Sequence, residues 1–544
     1  MSKRVILILL LTAVVGSVHF LIVGTAIGGL LAISPLTAID GSLPLVIAYL
    51  TVALVLVFYP VNGFLADICY GRRNVILTSL CLMSSFAISL LIVALPFSYY
   101  KYHPAVFIVF SSLVAVIAVI GVAGYGANFI QFGLDQLLEA PSRDQALFVH
   151  WAKWCYDCLS AVTLVILGLH CCREIKDLKA WPVILVSLIL VIALVLLILT
   201  VFSCWKRHWF YTESRHHNPY KVVAKVLRFA WKNSYPLQRS AFTYCDDERP
   251  SRLDFAKERF GGPFTTEQVE DVKSIMRITM ILLVIGPMFS MDPLIDTISF
   301  SIIGLHIGSF QSLVECQWDA FVTNAGVIRF AITTLVFPIY MWFIFSLFHN
   351  RIPKMLVRIG CGMALHLIGM LSVLAVDSIG HYMNKEANIT DCILRVHHID
   401  EYPATSSLNM HWSTMIPSAI FLGIGPTLIT ATVFEFISAQ SPHSMKGFLF
   451  GVFFVIRGVF QLFGSMVVFL FGSQIIWKNS VMREGISCLS RGILFLCVIA
   501  LISLISFLIT AKQYKHRERG DRPYDQRFAV DFYTRVIENR EKDT

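Results

Sequence analysis

The residues of this chain that could do chemistry stand out because they interrupt long apolar runs. Arg457 falls inside the run 447–475 with Gln461 one helical turn later on the same face, and Lys153 and Asp157 lie four residues apart in HWAKWCYDC. An ionisable group in such surroundings costs about 2.5–3.5 kcal/mol to insert, so it is expected to face a cavity or an opposite charge. A buried guanidinium keeps its charge and offers a planar fork of donors that fits a carboxylate or a similar oxyanion. Arg457 with Gln461 is therefore an anion-site candidate; the competing reading pairs Arg457 with a carboxylate such as Asp296. Lys153 and Asp157 are close enough to pair on one helix face, either as a purely structural bridge or as the lining of a polar cavity. Arg329 lies nearer a span end and can snorkel. His19 can change charge near neutral pH, although a lone histidine inside a bundle, like His366, also serves as a plain hydrogen-bonding group.

The elements that must position these groups follow from the apolar runs. Of 544 residues, 56% are apolar and only 15% are charged, more oil than a globular interior can hide. Spanning hydrocarbon takes about 20 mostly apolar residues, and only internally hydrogen-bonded helices or closed barrels survive there. Helix-length runs occupy 5–33, 43–66, 74–96, 105–132, 146–169, 181–203, 275–305, 321–349, 354–377, 412–437, 447–475 and 489–511. These predict an all-α polytopic membrane protein with twelve spans; the first run is too long for a signal-peptide core and is read as retained. With the N-terminus inside, cytosolic segments hold 32 of the 44 Lys and Arg and outer loops hold 8, which places both termini in the cytosol. The net charge of +9 then reflects contact with the inner leaflet, not nucleic-acid binding.

In this topology Asn388-Ile389-Thr390 is a glycosylation acceptor in an outer loop, and Cys316 and Cys392 are placed to pair across two outer loops. Cys155 and Cys158 are spaced CxxC but lie inside a span, where small residues pack helices. No metal-ligand set or paired catalytic carboxylates emerge, so neither a cofactor nor an enzymatic activity is expected.

A polar stretch, 206–274, separates two six-helix sets, giving domains 1–205 and 275–511 and a tail at 512–544. Within it Lys221, Lys225, Arg228 and Lys232 share one helical face, with Val222, Val226 and Phe229 on an adjacent one. That pattern reads either as an interfacial helix on anionic lipid or as a solvated helix between bundles. Thr265 and Gln268 stand at capping-box spacing and predict a helix start leading into the seventh span.

Residues 63–73, GFLADICYGRR, resemble the loop motif of the major facilitator superfamily, with three residues between Asp67 and Gly71. That spacing is similar to the proton-dependent oligopeptide transporter family. FGLDQ (132–136) and FEFISAQSPHSMKG (434–447) resemble segments of the same family, in the same order. The resemblance implies a major facilitator fold, two six-helix bundles rocking about a central site. It also implies that Asp67, Arg72 and Arg73 form a breakable charge latch, with Asp135 and Glu435 in gating contacts near inner helix ends.

Departures from the family matter for mechanism. Its ExxERF cluster is replaced by Val15 to Phe20, with His19 at the arginine position; its KPN lysine falls on Gly126, followed by Ala127 and Asn128; its GE glutamate becomes Pro426 after Gly425. Asn128 keeps the triplet's asparagine and joins Arg457, Gln461, Lys153, Asp157 and Asp296 among the substrate-binding candidates. His19 is the proton-coupling candidate. The expected function is a secondary carrier of a small polar solute, peptide-like or an organic or inorganic anion, with proton coupling in doubt. The partners are then that solute, the lipid bilayer and protons if coupling persists. The alternative is a receptor-like or scaffold protein on a carrier fold. The expected location is a multi-pass membrane, the plasma membrane ahead of the lysosomal one.

Overall fold

A computed structural model describes residues 4–16, 56–99, 104–137, 140–173, 181–211, 219–233, 250–292, 334–335, 337–342, 353–383, 414, 416–472 and 488–515. All regular structure among the described residues is helical. In chain order the helices are α1 (Arg4–Gly16), α2 (Leu56–Tyr70), α3 (Arg72–Tyr99), α4 (Pro104–Asp135), α5 (Ser142–Arg173) and α6 (Trp181–Trp205). After the connector helix α7 (Pro219–Lys232) come α8 (Thr266–Ile285), α9 (337–342), α10 (Met355–Met383), α11 (Ile416–Gln440), α12 (Lys446–Gly472) and α13 (Cys488–Gln513). Each expected span falls on one of these helices where it is described. Among the described residues five helical stretches are long and apolar enough to cross a membrane. Their outward faces are apolar too: Ile198, Val201, Ile502 and Ile509 are all more than half exposed, which only lipid makes tolerable. His19, Asp296, Cys316, Arg329, Asn388 and Cys392 lie outside the described residues.

Small residues set the close contacts, as expected where lipid removes the hydrophobic drive between helices. Along α12, Gly447, Gly451 and Gly458 face α2. A Cβ on Gly63 would stand 2.4 Å from the Gly447 carbonyl oxygen, one on Gly451 2.5 Å from Pro60 Cα, and one on Gly458 1.9 Å from Leu56 Cδ2. The two helices run antiparallel; their backbones touch at Gly447 and Gly451, and the Leu56 side chain lies against Gly458. This seam joins the two halves at the end that carries the connector. There α2 closes in a π-turn, Ala66–Tyr70, and Gly71 at φ 80° reverses the chain directly into α3. A left-handed residue is needed at that point, and glycine supplies it without strain.

Helix α8 begins nine residues before the apolar run, because Thr265 and Gln268 form the reciprocal capping box and the first turns are extramembranous. It ends at Gly286-Pro287, where the chain tightens into a 3₁₀ segment, Gly286–Met291. Proline removes an interior hydrogen bond and tolerates this change of winding. Gly464 of α12 packs so closely that its Cβ would sit 1.8 Å from the Ser290 oxygen.

The connector folds onto the start of α8. Val226 and Ala230 of α7 are buried, and Val222, Val223 and Phe229 pack with Leu253, Ala256, Phe264, Val269 and Val272. The apolar stripe that sequence offered to lipid is therefore used inside the protein. Below it, Asp254 accepts from the Ser251 amide at 2.8 Å and from Lys273 Nζ at 2.6 Å, and Lys257 bridges it to Glu270 at 2.7 Å. Burial favours the neutral acid, but these donors outweigh it and hold Asp254 well below the usual carboxylate range; they likewise hold Lys257 charged, above the usual lysine range.

A depressed acid contributes stability that is complete above its unfolded value of 3.8 and is lost as pH falls through the folded one. A raised lysine contributes below its unfolded value of 10.5 and loses it as pH rises through the folded one. Protease cleavage of the connector should accordingly be equally slow at pH 5 and pH 7.5. Asp254→Asn should speed cleavage about tenfold at both, the loss of about one charged hydrogen bond. Wild-type connector that loosens between those two pH values would show that the cluster does not hold it.

Candidate functional site

The polar centre lies where the 3₁₀ end of the α8 segment meets α12. Arg457 Nη2 donates to Asp292 Oδ2 at 3.1 Å, and Gln461 Nε2 donates to the same oxygen at 3.0 Å. Spacing of one turn on α12 brings both donors to one acid. The change of winding after Gly286-Pro287 turns Phe289 and Asp292 toward them, and the guanidinium lies 5.1 Å from the Phe289 ring centre. Asp292 is 4% exposed while Arg457 is 28% exposed, so the arginine is anchored to a buried acid and its own side chain stays part-exposed. The other carboxylate oxygen, Oδ1, is buried with no hydrogen-bond donor among the described residues. Asp296, the carboxylate the sequence suggested, lies outside the described residues; the one that meets Arg457 among them is Asp292. Its signal was present in GPMFSMD, an acid one 3₁₀ stretch beyond a helix break.

Aromatic residues of the first half face this centre. Tyr59 of α2 stacks on Phe454 of α12 with ring centres 4.4 Å apart, and Arg457 acts electrostatically on both Tyr59 and Tyr156. Tyr156 on α5 also feels Asp157, whose carboxylate pairs with Lys153 on the same helix. The Tyr125 hydroxyl and Thr12 share a 3.0 Å hydrogen bond that ties α4 to α1. Cys155 and Cys158 are not bonded to each other.

One of the lost family positions is closed by packing, and the glycine preceding another sits at a tight helix contact. A Cβ on Gly126 would lie 2.7 Å from the Tyr59 ring, so Tyr59 occupies the room that a side chain at 126 requires. A Cβ on Gly425 would lie 2.7 Å from the His366 amide nitrogen, at the contact of α10 with α11.

The gating candidates gather at the connector end. Arg72 Nη1 spans both oxygens of Asp135 at 3.1 and 3.0 Å, and its Nη2 reaches Asp67 Oδ1 at 3.3 Å. Asp67 Oδ2 accepts from the Phe448 amide of α12 at 3.0 Å and from the Tyr220 hydroxyl of α7 at 3.1 Å. Arg73 stands apart and donates to the Arg207 carbonyl at 3.4 Å. Asn128 donates to Gly124 and lies beside Gly447, next to this latch and away from Arg457. Glu435 belongs to a second cluster: its Oε2 meets His150 Nε2 at 2.8 Å, and its Oε1 accepts from Arg358 at 2.8 Å. His150 is on α5 and the other two are on α11 and α10, so this cluster also crosses between halves. Tyr220, His150 and Arg358 were not among the residues singled out by sequence, because only the fold brings them to their acids.

Comparison with known proteins agrees with this architecture. The sequence profile of the POT family matches residues 73–480. Mouse solute carrier family 15 member 3 is 21% identical over 435 residues, covering 76% of this chain and 71% of that protein. An auto-inhibited POT family peptide transporter superposes with a TM-score of 0.64 at 15% identity, covering 96% of this chain and all of the other. A POT family transporter in complex with 5-aminolevulinic acid gives 0.59 at 12% identity, covering 95% and 97%. The major facilitator proton:xylose symporter XylE gives 0.50 at 15% identity, covering 95% and 97%. The fold is that of the major facilitator superfamily, twelve helices in two six-helix bundles, and the chain belongs to the POT family of multi-pass membrane transporters, not to an enzyme family.

Proposed function

We propose that this transporter carries a small polar solute with an anionic group, either a peptide-like or amino-acid-like zwitterion or a simple organic or inorganic anion, by alternating access. The observation that carries the reading is Arg457: anchored by Asp292, stacked near Phe289, and left 28% exposed opposite tyrosines of the other bundle. A guanidinium locked shut would suit a receptor or scaffold; one held open at the meeting of the bundles suits a carrier. Lys153 and Asp157, also part-exposed, supply charges of both signs for an amphoteric solute. The crystallised relative named for its 5-aminolevulinic acid complex holds a molecule of that class.

The state described is closed on the connector side, by the α2–α12 seam and the two charge clusters. Transport then requires Asp67 to release Phe448 and Glu435 to release His150. With the bundles at 1–205 and 275–511, the connector 206–274 and the tail 512–544 are cytosolic. Asn388 is then an outer glycosylation site and Cys316–Cys392 an outer disulfide. The lysine and glutamate positions that the family resemblance associates with peptide and proton are filled by Gly126 and Pro426, so coupling through that cluster is not expected. His19 is the remaining candidate for it.

Arg457→Lys should weaken solute binding by about tenfold or more, because a point ammonium loses the fork, and Arg457→Leu should abolish it. Ligand-dependent thermal stabilisation of purified protein across peptides, amino acids, nitrate and organic acids finds the solute, and the same assay reads the variants. Normal binding by Arg457→Leu that still folds would sink the assignment. Uptake of that solute into liposomes should persist when an ionophore collapses the pH gradient. If uptake instead demands inward protons, His19→Gln decides whether His19 has taken over the role.

A further inference from the structure

The connector helix α7 has a second face that the protein leaves unused. Its inward stripe is spent on α8, yet Trp231 is 90% exposed and Leu227, one turn earlier, is 40% exposed. Lys221, Lys225, Arg228 and Lys232 are also exposed, flanking that pair, and PYKVVAKVLRFAWK contains no acid. Solvated surface helices seldom combine a bare tryptophan and leucine with four cations and no acid. The helix begins at Tyr220, whose ring packs on Phe64 and Phe448 with centres 4.8 and 5.4 Å away. Those residues are at the ends of α2 and α12, so α7 lies at the level where the spans leave the bilayer. The same pairing recurs at the end of α6, where Lys206 Nζ stands 4.3 Å from the Trp205 ring and 5.0 Å from that of Trp209.

We infer that the Leu227–Trp231 face of α7 docks on the anionic phospholipid headgroups of the leaflet on the connector side. Indole rings settle at the headgroup level, and basic side chains beside them are drawn to anionic lipid. This face favours lipid over a protein partner because its charge is of one sign and the helix lies where the neighbouring spans end. Since Tyr220 closes the Asp67 latch from the same helix, lipid docking holds α7 where that contact is made.

Amine footprinting of the full chain in nanodiscs tests this. Acetylation of Lys221, Lys225 and Lys232, read by mass spectrometry, should be at least about threefold slower with phosphatidylserine present than in pure phosphatidylcholine, and high salt should remove the difference. Lys257 and Lys273, engaged with Asp254 and Glu270, should label alike in both. Leu227→Ser with Trp231→Ser should lose most of the lipid effect, whereas Tyr220→Phe should keep it. Equal labelling of the three lysines in both lipids, or protection that arises only on adding cytosolic protein, overturns the inference.

Discussion

Asp67 is a carboxylate with no exposure whose two oxygens serve both halves of the molecule. One faces Arg72, which in turn grips Asp135 within the first bundle; the other holds the Phe448 amide of the second bundle and the hydroxyl of Tyr220. Burial opposes the charge of such an acid, and its donors offset part of that cost while they are in place. Removing the α12 donor leaves Arg72 and the connector's Tyr220 in place, so the acid does not become an isolated charge when the bundles part. That asymmetry makes the contact breakable. The glycine seam above it works in the same sense: close backbone contact at Gly447 and Gly451 leaves few side chains to unlock there.

The centre obeys a different logic. Arg457 cannot shed its charge, and hydrocarbon makes an unpaired guanidinium costly. Asp292 and the Phe289 ring offset that cost while leaving part of the fork open, so the same contact that makes the arginine tolerable also aims it. The helix break at Gly286-Pro287 is what lets α8 deliver both groups to α12. Discontinuous helices at mid-depth recur in carriers for this reason, since irregular backbone survives there only beside a polar cavity.

Much of this was legible in the residues. Where both ends are described, apolar runs located the helices within a few residues, the Thr265–Gln268 box marked the earlier start of α8, and 3.6-residue spacing placed Arg457 with Gln461 and Lys153 with Asp157. The Asp67 latch was legible as a motif, but its working partner across the bundles is a backbone amide, which no side-chain pattern reveals. His150 and Glu435 are 285 residues apart and were separable only by fold. Asp292 is brought to Arg457 by the 3₁₀ turn after Gly286-Pro287, a change of winding that 3.6-residue spacing does not anticipate. For α7 the period was legible but the partner of its apolar stripe was not, because burial against Val269 and Val272 depends on where the next element lands.

The most direct test of the account is the distance between the two bundles on the connector side, read by pulsed electron spin resonance between labels at Asn74 and Lys354, both exposed at that end. Wild type is expected to give a short, narrow population, with a longer one added by saturating solute. Asp67→Asn combined with Glu435→Gln is expected to shift most molecules to the longer distance without solute. An unchanged short distance in that double variant, in protein that remains folded, would contradict the claim that these two acids hold the halves together.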